Sequence, residues 1–204
     1  MTEKEKMLSG KLYDTSDAEL SRLHTRAHLL CKRYSDLPVT QTAERNEILR
    51  ELLHAGENAY FQGPISFDYG VFTTVGKNFY ANFNFTALDC CLITIGDNVM
   101  CGPNVSLLTP MHPLLPEDRN VRFRADGTPY DLEYAKPITI GDNCWLAGNV
   151  TVLGGVTIGE GCVIGAGSVV TRDIPPRSLA FGVPCRVVRS LDERDALRNH
   201  PELF

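Results

Sequence analysis

From Ile138 the chain counts in sixes: ITIGDN, CWLAGN, VTVLGG, VTIGEG, CVIGAG, SVVTRD. The leading column reads Ile138, Cys144, Val150, Val156, Cys162 and Ser168, and the register continues to Ile174. An earlier block from Ile93, ITIGDN VMCGPN VSLLTP, puts Ile93, Val99 and Val105 in that column, and "VGKNF" near Phe79 echoes it weakly. A period of six is neither the 3.6 of a helix nor simple alternation. It predicts a solenoid whose coils are three short strands joined by turns, with the apolar column stacked inside and successive coils about 4.8 Å apart. Gly141, Asp142, Asn143, Gly159 and Gly165 fall at the corners, where Gly and Asn tolerate positive φ. Ordinary turns between ordinary strands are the competing explanation, yet so long a run in one register is hard to obtain from an irregular sandwich. Such a prism is stiff, and its flat polar faces suit the fixing of reactive groups and packing against copies of itself.

The chain ahead of the repeats is helical in pattern. Residues 16–35 place Leu20, Leu23, Ala27, Leu30, Cys31 and Tyr34 on one stripe, and Ser16 with Glu19 reads as a capping box. Residues 42–54 give a second amphipathic helix closed by Gly56, with Pro38 separating the two. Terminal repeats need a cover, so these helices are expected to cap one end of the solenoid. The chain then divides into a helical cap, 1–58, a repeat domain, 59–190, interrupted by a loop at 114–136, and a tail, 191–204.

Composition excludes several classes. The 204 residues are 43% hydrophobic and 22% charged, enough for one substantial core. A net charge of −5 gives no global basic face for nucleic acid or an anionic membrane. No apolar run approaches the roughly 18 residues of a membrane helix, and "MTEKEKMLSG" lacks the apolar stretch of a signal peptide, so a cytoplasmic location is expected. Seven cysteines contain no CxxC pair and are odd in number, which argues against a zinc knuckle or a disulfide framework. Cys101, Cys144 and Cys162 read as small buried hydrophobes within the repeats.

The repeats break at "SLLTPMHPLLPED", and there stands His112. Of five histidines it alone lies in the repeat region: His24, His28 and His54 belong to the helices and His200 to the tail. A loop histidine by itself is more often simply solvated.

Several motifs together carry a resemblance: the hexapeptides, "NFYANFN" at 78–84, "MHPL" at 111–114 and "VVTRDIPPRSLAFGVPCRVVR" at 169–189. From "EKEKMLSGKLYD" to "CRVVR" the chain resembles the maltose and galactoside O-acetyltransferases. The resemblance implies a mainly β fold, a left-handed parallel β-helix with an N-terminal helical cap, assembled as a homotrimer with active sites between subunits. It implies acetyl-CoA as co-substrate, no required metal, and a small sugar acceptor such as maltose, glucose or a galactoside. His112 matches the family's catalytic histidine, the general base that an unreactive alcohol needs; imidazole suits because it titrates near neutrality.

Coenzyme contacts implied by the resemblance are Asn82, Trp145, Gly148, Ala166, Thr171, Arg172, Arg186 and Arg189. An acidic protein needs a local cationic cluster for the phosphates of coenzyme A, and Arg172, Arg177, Arg186 and Arg189 supply one; a solvated rim is the plainer explanation of the same charges. Galactoside enzymes carry a serine at Gly148, so an oxyanion donor there must be main chain. On the acceptor side the resemblance implies Asp17, Asp68, Tyr80 and Asn82. Arg26 lies near a family arginine, but an ungapped alignment puts His24 there. Cys90 replaces a second substrate aspartate, and "LDCC" resembles the maltose-type "LDVC". The loop 114–136 is longer than usual for the family and is either a specificity element or a tolerated surface insertion.

Other classes remain to be separated. A xenobiotic or amino-sugar acetyltransferase would share His112 and the coenzyme site. A zinc carbonic anhydrase needs about three histidines, against one in the repeats. A non-catalytic solenoid would not bind coenzyme A.

Overall fold

A computed structural model of the protein describes residues 1–203; Phe204, the last residue of the 191–204 tail, lies outside the described residues. Three parallel sheets form the walls of a prism of about six coils. The first wall stacks His54–Ala55, Thr73–Val75, Ile93–Ile95, Ile138–Ile140 and Thr157–Ile158. The second runs from Tyr60–Phe61 through Tyr80–Ala81, Met100–Cys101, Trp145–Leu146 and Val163–Ile164 to Ser178–Gly182. The third stacks Ile65–Phe67, Phe85–Leu88, Ser106–Leu108, Thr151–Leu153 and Val169–Val170. Cys185–Ser190 pairs antiparallel with Ser178–Gly182 and covers the edge of that last strand of the second wall.

The leading column of the repeat is buried from Ile93 to Ile174. A second inward column, two residues on, includes Ile95, Cys101, Leu107, Ile140, Leu146 and Ile164. Strand alternation explains it: positions i and i+2 share a face, so each six sends two side chains inside. Toward the capped end the filling becomes aromatic, with Phe61, Phe67, Phe79 and Phe85 in edge and tilted contacts at 5.0–6.1 Å. All seven cysteines are buried as free thiols.

The corners differ in part from expectation. The left-handed backbone falls on Asn143, Asn98, Asn104 and Asn149, not on Gly141, Gly159 or Gly165. Those glycines are needed for clearance: a Cβ on Gly141 would lie 2.6 Å from the Glu160 nitrogen of the next coil, and one on Gly159 2.5 Å from the Pro176 nitrogen. The corner asparagines also form ladders. Asn78 donates to Asn98 Oδ1 at 2.9 Å, and Asn98 donates to Asn143 Oδ1 at 3.2 Å. Asn98→Ala should cost about 1–2 kcal/mol, from two lost hydrogen bonds plus left-handed strain. Asn98→Gly, free of that strain, should cost less; equal denaturant midpoints for the two variants would show that backbone conformation contributes nothing there.

The helices are α1 (Glu3–Leu8), α2 (Ala18–Asp36) and α3 (Thr42–Leu52). Helix α1 was not legible in advance. The cap of α2 is Asp17 rather than Ser16, its carboxylate accepting from the Glu19 and Leu20 amides at 2.9 and 3.2 Å. Helix α3 ends at Leu52, and the chain enters its first wall strand at His54, so Gly56 is a corner of the first coil and not a helix cap. Helices α2 and α3 close the prism end with Ala27, Leu30, Tyr34, Ile48 and Leu52, which join the same core as Phe61 and Ile65. Among the described residues no helix is long and apolar enough to cross a membrane.

The stretch 114–136 is folded, not an irregular excursion. It holds a helical turn, Pro116–Arg119, a hairpin of Arg122–Phe123 with Pro129–Tyr130, and a strand, Leu132–Ala135. That last strand lies between Pro110–Met111 and Tyr13–Asp14, antiparallel to both. A second, smaller core of Met7, Tyr13, Leu20, Tyr69, Cys90, Cys91 and Ala135 fixes this sheet to the side of the prism.

Candidate active site

His112 follows the point where the chain leaves the third wall. Buried Thr109 anchors that exit: its hydroxyl donates to the Leu88 carbonyl at 2.7 Å and accepts from the Cys91 amide at 3.0 Å. Met111 then pairs with Tyr134, and Tyr13 with Glu133, so the small sheet sets Glu133 beside both His112 and Tyr13. His112 Nε2 lies 3.6 Å from Glu133 Oε1, and the Tyr13 hydroxyl donates to Glu133 Oε2 at 2.9 Å. The imidazole is 48% exposed against 18% for the Glu133 side chain, a ring open to solvent beside a largely covered carboxylate. Burial raises the Glu133 carboxyl above its ordinary value, opposed by the Tyr13 hydroxyl and by His112. Burial and neighbouring acidic groups push the Tyr13 phenol well above its usual range, so it remains a hydrogen-bond donor.

Glu133 lines a cavity of about 480 Å³ with Tyr13, Thr15, His24, Asp68 and Cys90. Two carboxylates, and neither lysine nor arginine among the described residues, line it. The Cys90 thiol donates to Asp68 Oδ2 at 3.4 Å, and burial pushes its pKa far above the ordinary thiol value, so it stays protonated. Next in sequence to Cys90 of the lining, buried Asp89 accepts from the Tyr69 and Gly70 amides at 2.8 and 3.1 Å and from the Thr73 hydroxyl at 3.0 Å, fixing the turn that follows Asp68. Burial pushes the Asp89 carboxyl up to about 6 against the pull of those donors.

Of the expected acceptor residues, the fold gathers Asp68 and Cys90 at this cavity, with His112 joined through Glu133. Asp17, Tyr80 and Asn82 are not among its lining residues. Asp17 is spent on the cap of α2. Tyr80 belongs to the second wall and stacks on Tyr60 at 6.0 Å, and Asn82 Oδ1 accepts from the Phe83 amide at the corner beyond it.

Apart from Asn82, which lies on an early coil, the expected coenzyme residues lie on the later coils. Trp145 is 48% exposed on the second wall, and Gly148 occupies the next corner, against Pro103 of the coil beside it. Ala166, Thr171, Arg172 and Arg186 are exposed. Among the described residues no carboxylate pairs with Arg172, Arg177 or Arg186, whereas Arg189 holds Asp195 through two hydrogen bonds of 2.7 and 2.5 Å. Sequence reasoning missed Glu133 and Tyr13. They are 120 positions apart, and only the alternation of "DLEYA" hinted that this part of the loop is a strand.

Similarity to known proteins bears on the fold and the family. The maltose acetyltransferase hexapeptide capping motif matches residues 6–56, and the bacterial transferase hexapeptide (six repeats) matches residues 137–172. The galactoside O-acetyltransferase of Escherichia coli K12 is 40% identical over 192 residues, 94% of this chain and 90% of that protein. The crystal structure of a maltose O-acetyltransferase from Clostridium difficile 630 superposes with a TM-score of 0.86 at 43% identity, covering 95% of this chain and 99% of that one. A galactoside acetyltransferase in complex with coenzyme A gives the same TM-score at 40% identity, over 96% and 94% of the two chains. Identity of 40–43% over nine-tenths or more of each chain, with both the capping motif and the hexapeptide repeats matched, places the chain in the hexapeptide-repeat acetyltransferase family of the galactoside and maltose O-acetyltransferases.

Proposed function

We propose that this acetyltransferase moves an acetyl group from acetyl-CoA to a hydroxyl of a small sugar, maltose, glucose or a galactoside, with His112 as the general base. The observation that carries the reading is the His112–Glu133–Tyr13 array at the edge of a polar cavity. His112 takes the proton of the acceptor hydroxyl as its oxygen attacks the thioester carbonyl. The tetrahedral intermediate then collapses with loss of the coenzyme thiolate, which the imidazolium reprotonates, so the base is restored at each turnover. Glu133 orients the ring and stabilises the imidazolium between those steps. Main-chain N–H groups at the corner near Gly148 serve the oxyanion, in place of the serine hydroxyl of galactoside enzymes.

Arg172, Arg177 and Arg186, free of carboxylate partners among the described residues, suit the phosphates of coenzyme A. Arg189, held by Asp195, contributes less charge. Asp68 and the other hydrogen-bonding groups of the cavity suit sugar hydroxyls. Tyr80, Asn82 and Trp145 sit on the second wall, apart from the cavity lining, so a complete site drawn from both sets fits a groove between copies in a homotrimer. The two carboxylates without a lining cation favour one second reading, an acceptor that bears an amine.

Thiol release from acetyl-CoA across a panel of sugars and amine-bearing acceptors tests the reading. Saturable turnover with a neutral sugar supports it; turnover confined to amines would replace it with the second reading.

A further inference from the structure

We propose that His24, His28 and Asp68 form a binding site for a d-block divalent cation of the zinc class, at the α2 side of the cavity. His24 and His28 are one turn apart on α2 and share its face, with ring centroids 3.9 Å apart at a 38° tilt. Their Nε2 atoms lie 3.7 and 4.0 Å from the same oxygen, Asp68 Oδ1. These separations are too long for hydrogen bonds. They are close to the spacing of ligands that share one ion: donors at about 2.0–2.2 Å from tetrahedral zinc stand about 3.3–3.6 Å apart. All three donor atoms fall within 4.8 Å of one another, so small side-chain rotations close the set.

The surroundings hold these groups ready. Cys90 donates to Asp68 Oδ2, which leaves Oδ1 free for the ion; ligating carboxylates usually have such a supporting hydrogen bond. Tyr69 meets the His24 ring edge-on at 6.0 Å. Two imidazoles and one carboxylate select Zn²⁺, Co²⁺ or Ni²⁺ over Mg²⁺ or Ca²⁺, which prefer oxygen ligands. Three protein ligands leave one tetrahedral position for water. Because His24 and Asp68 also line the cavity, a bound ion obstructs the acceptor; this consequence, unlike binding itself, rests on the assignment of the cavity above.

Calorimetric titration of the purified chain with Zn²⁺, and Co²⁺ titration followed by its visible absorption, test the site. One Zn²⁺ per chain is expected, weakened in His28→Ala by more than the roughly 10- to 100-fold that loss of a supporting residue costs, together with a Co²⁺ band that the variant loses. His28 is outside the catalytic array and the cavity lining, so metal-free turnover of His28→Ala should equal that of the wild type. Zn²⁺ should inhibit the wild type competitively with the acceptor. No saturable binding, or equal affinity in His28→Ala, overturns the site. Binding that His28→Ala weakens but that leaves wild-type turnover untouched retains the site and overturns the acceptor assignment of the cavity.

Discussion

His112→Ala should lower kcat by about two to four orders of magnitude, which corresponds to about 3–5.5 kcal/mol of lost transition-state stabilisation. The KM for acetyl-CoA should change little, because the residues proposed for the coenzyme lie on other parts of the prism than the segment after Pro110–Met111 that carries His112. The fold should tolerate the change: the ring is 48% exposed, and its one ionic contact among the described residues, to Glu133, is at 3.6 Å. A stability change within about 0.5 kcal/mol is therefore expected. An active His112→Ala enzyme would remove the base from the mechanism. Glu133→Gln keeps an acceptor for Tyr13 but removes the charge beside the imidazolium, a loss of about 1–2 kcal/mol or roughly tenfold in rate for a partly solvated pair. Since burial holds the Glu133 carboxyl above its usual value, it discharges at a higher pH on acidification than an exposed glutamate does. The acid limb of kcat/KM should accordingly be steeper in the wild type than in Glu133→Gln.

The periodic parts of this protein could be read directly, because a solenoid repeats one local rule. Inward Ile, Val and Cys at every sixth position, and Asn at the corners, report the coil wherever they occur. The apolar stripe of α2 was equally plain, with Leu20, Ala27, Leu30, Cys31 and Tyr34 all buried. Elements set by tertiary pairing were not legible. Leu132–Ala135 is a strand because Met111 and Tyr13 flank it, and no local propensity announces partners so distant. His112 stood out as the single histidine of the repeats, whereas Glu133, the carboxylate beside it, looked like one acidic residue in a polar loop. Gly141 and Gly159 were found at the corners but for the wrong reason: what excludes a side chain is the coil beside each of them, which a single repeat does not display. Nothing in the sequence set Arg45 apart from the other charged residues of the helix at 42–54, yet it is 3% exposed.

That arginine carries the second large effect. Its guanidinium joins three segments. Nη1 donates to the Tyr34 and Leu37 carbonyls at 3.4 and 3.2 Å, and Nη2 donates to the Phe61 and Gln62 carbonyls at 2.8 and 3.0 Å. It also lies 4.0 Å over the Tyr34 ring, whose hydroxyl donates to Phe61 O at 2.5 Å. The first two carbonyls are at the C-terminal end of α2, where unpaired acceptors and the helix dipole both favour a cation. The other two belong to the first coil, so one side chain on α3 satisfies the junction between cap and prism. Arg45→Ala removes the guanidinium donor from all four carbonyls, leaving Phe61 O with the Tyr34 hydroxyl, and opens a cavity against Tyr34. The expected loss is about 3–5 kcal/mol, a large fraction of the roughly 5–15 kcal/mol that holds an ordinary domain folded. Arg45→Lys keeps the charge, but a compact ammonium cannot reach both pairs of carbonyls, so about half of the loss should remain. Denaturant midpoints for the three proteins check the order, and hydrogen exchange at residues 34–62 should show the junction opening before the later coils. A loss of less than about 1 kcal/mol in Arg45→Ala would mean that the apolar contacts of Ile48, Leu49 and Leu52 suffice to seat the cap on the prism.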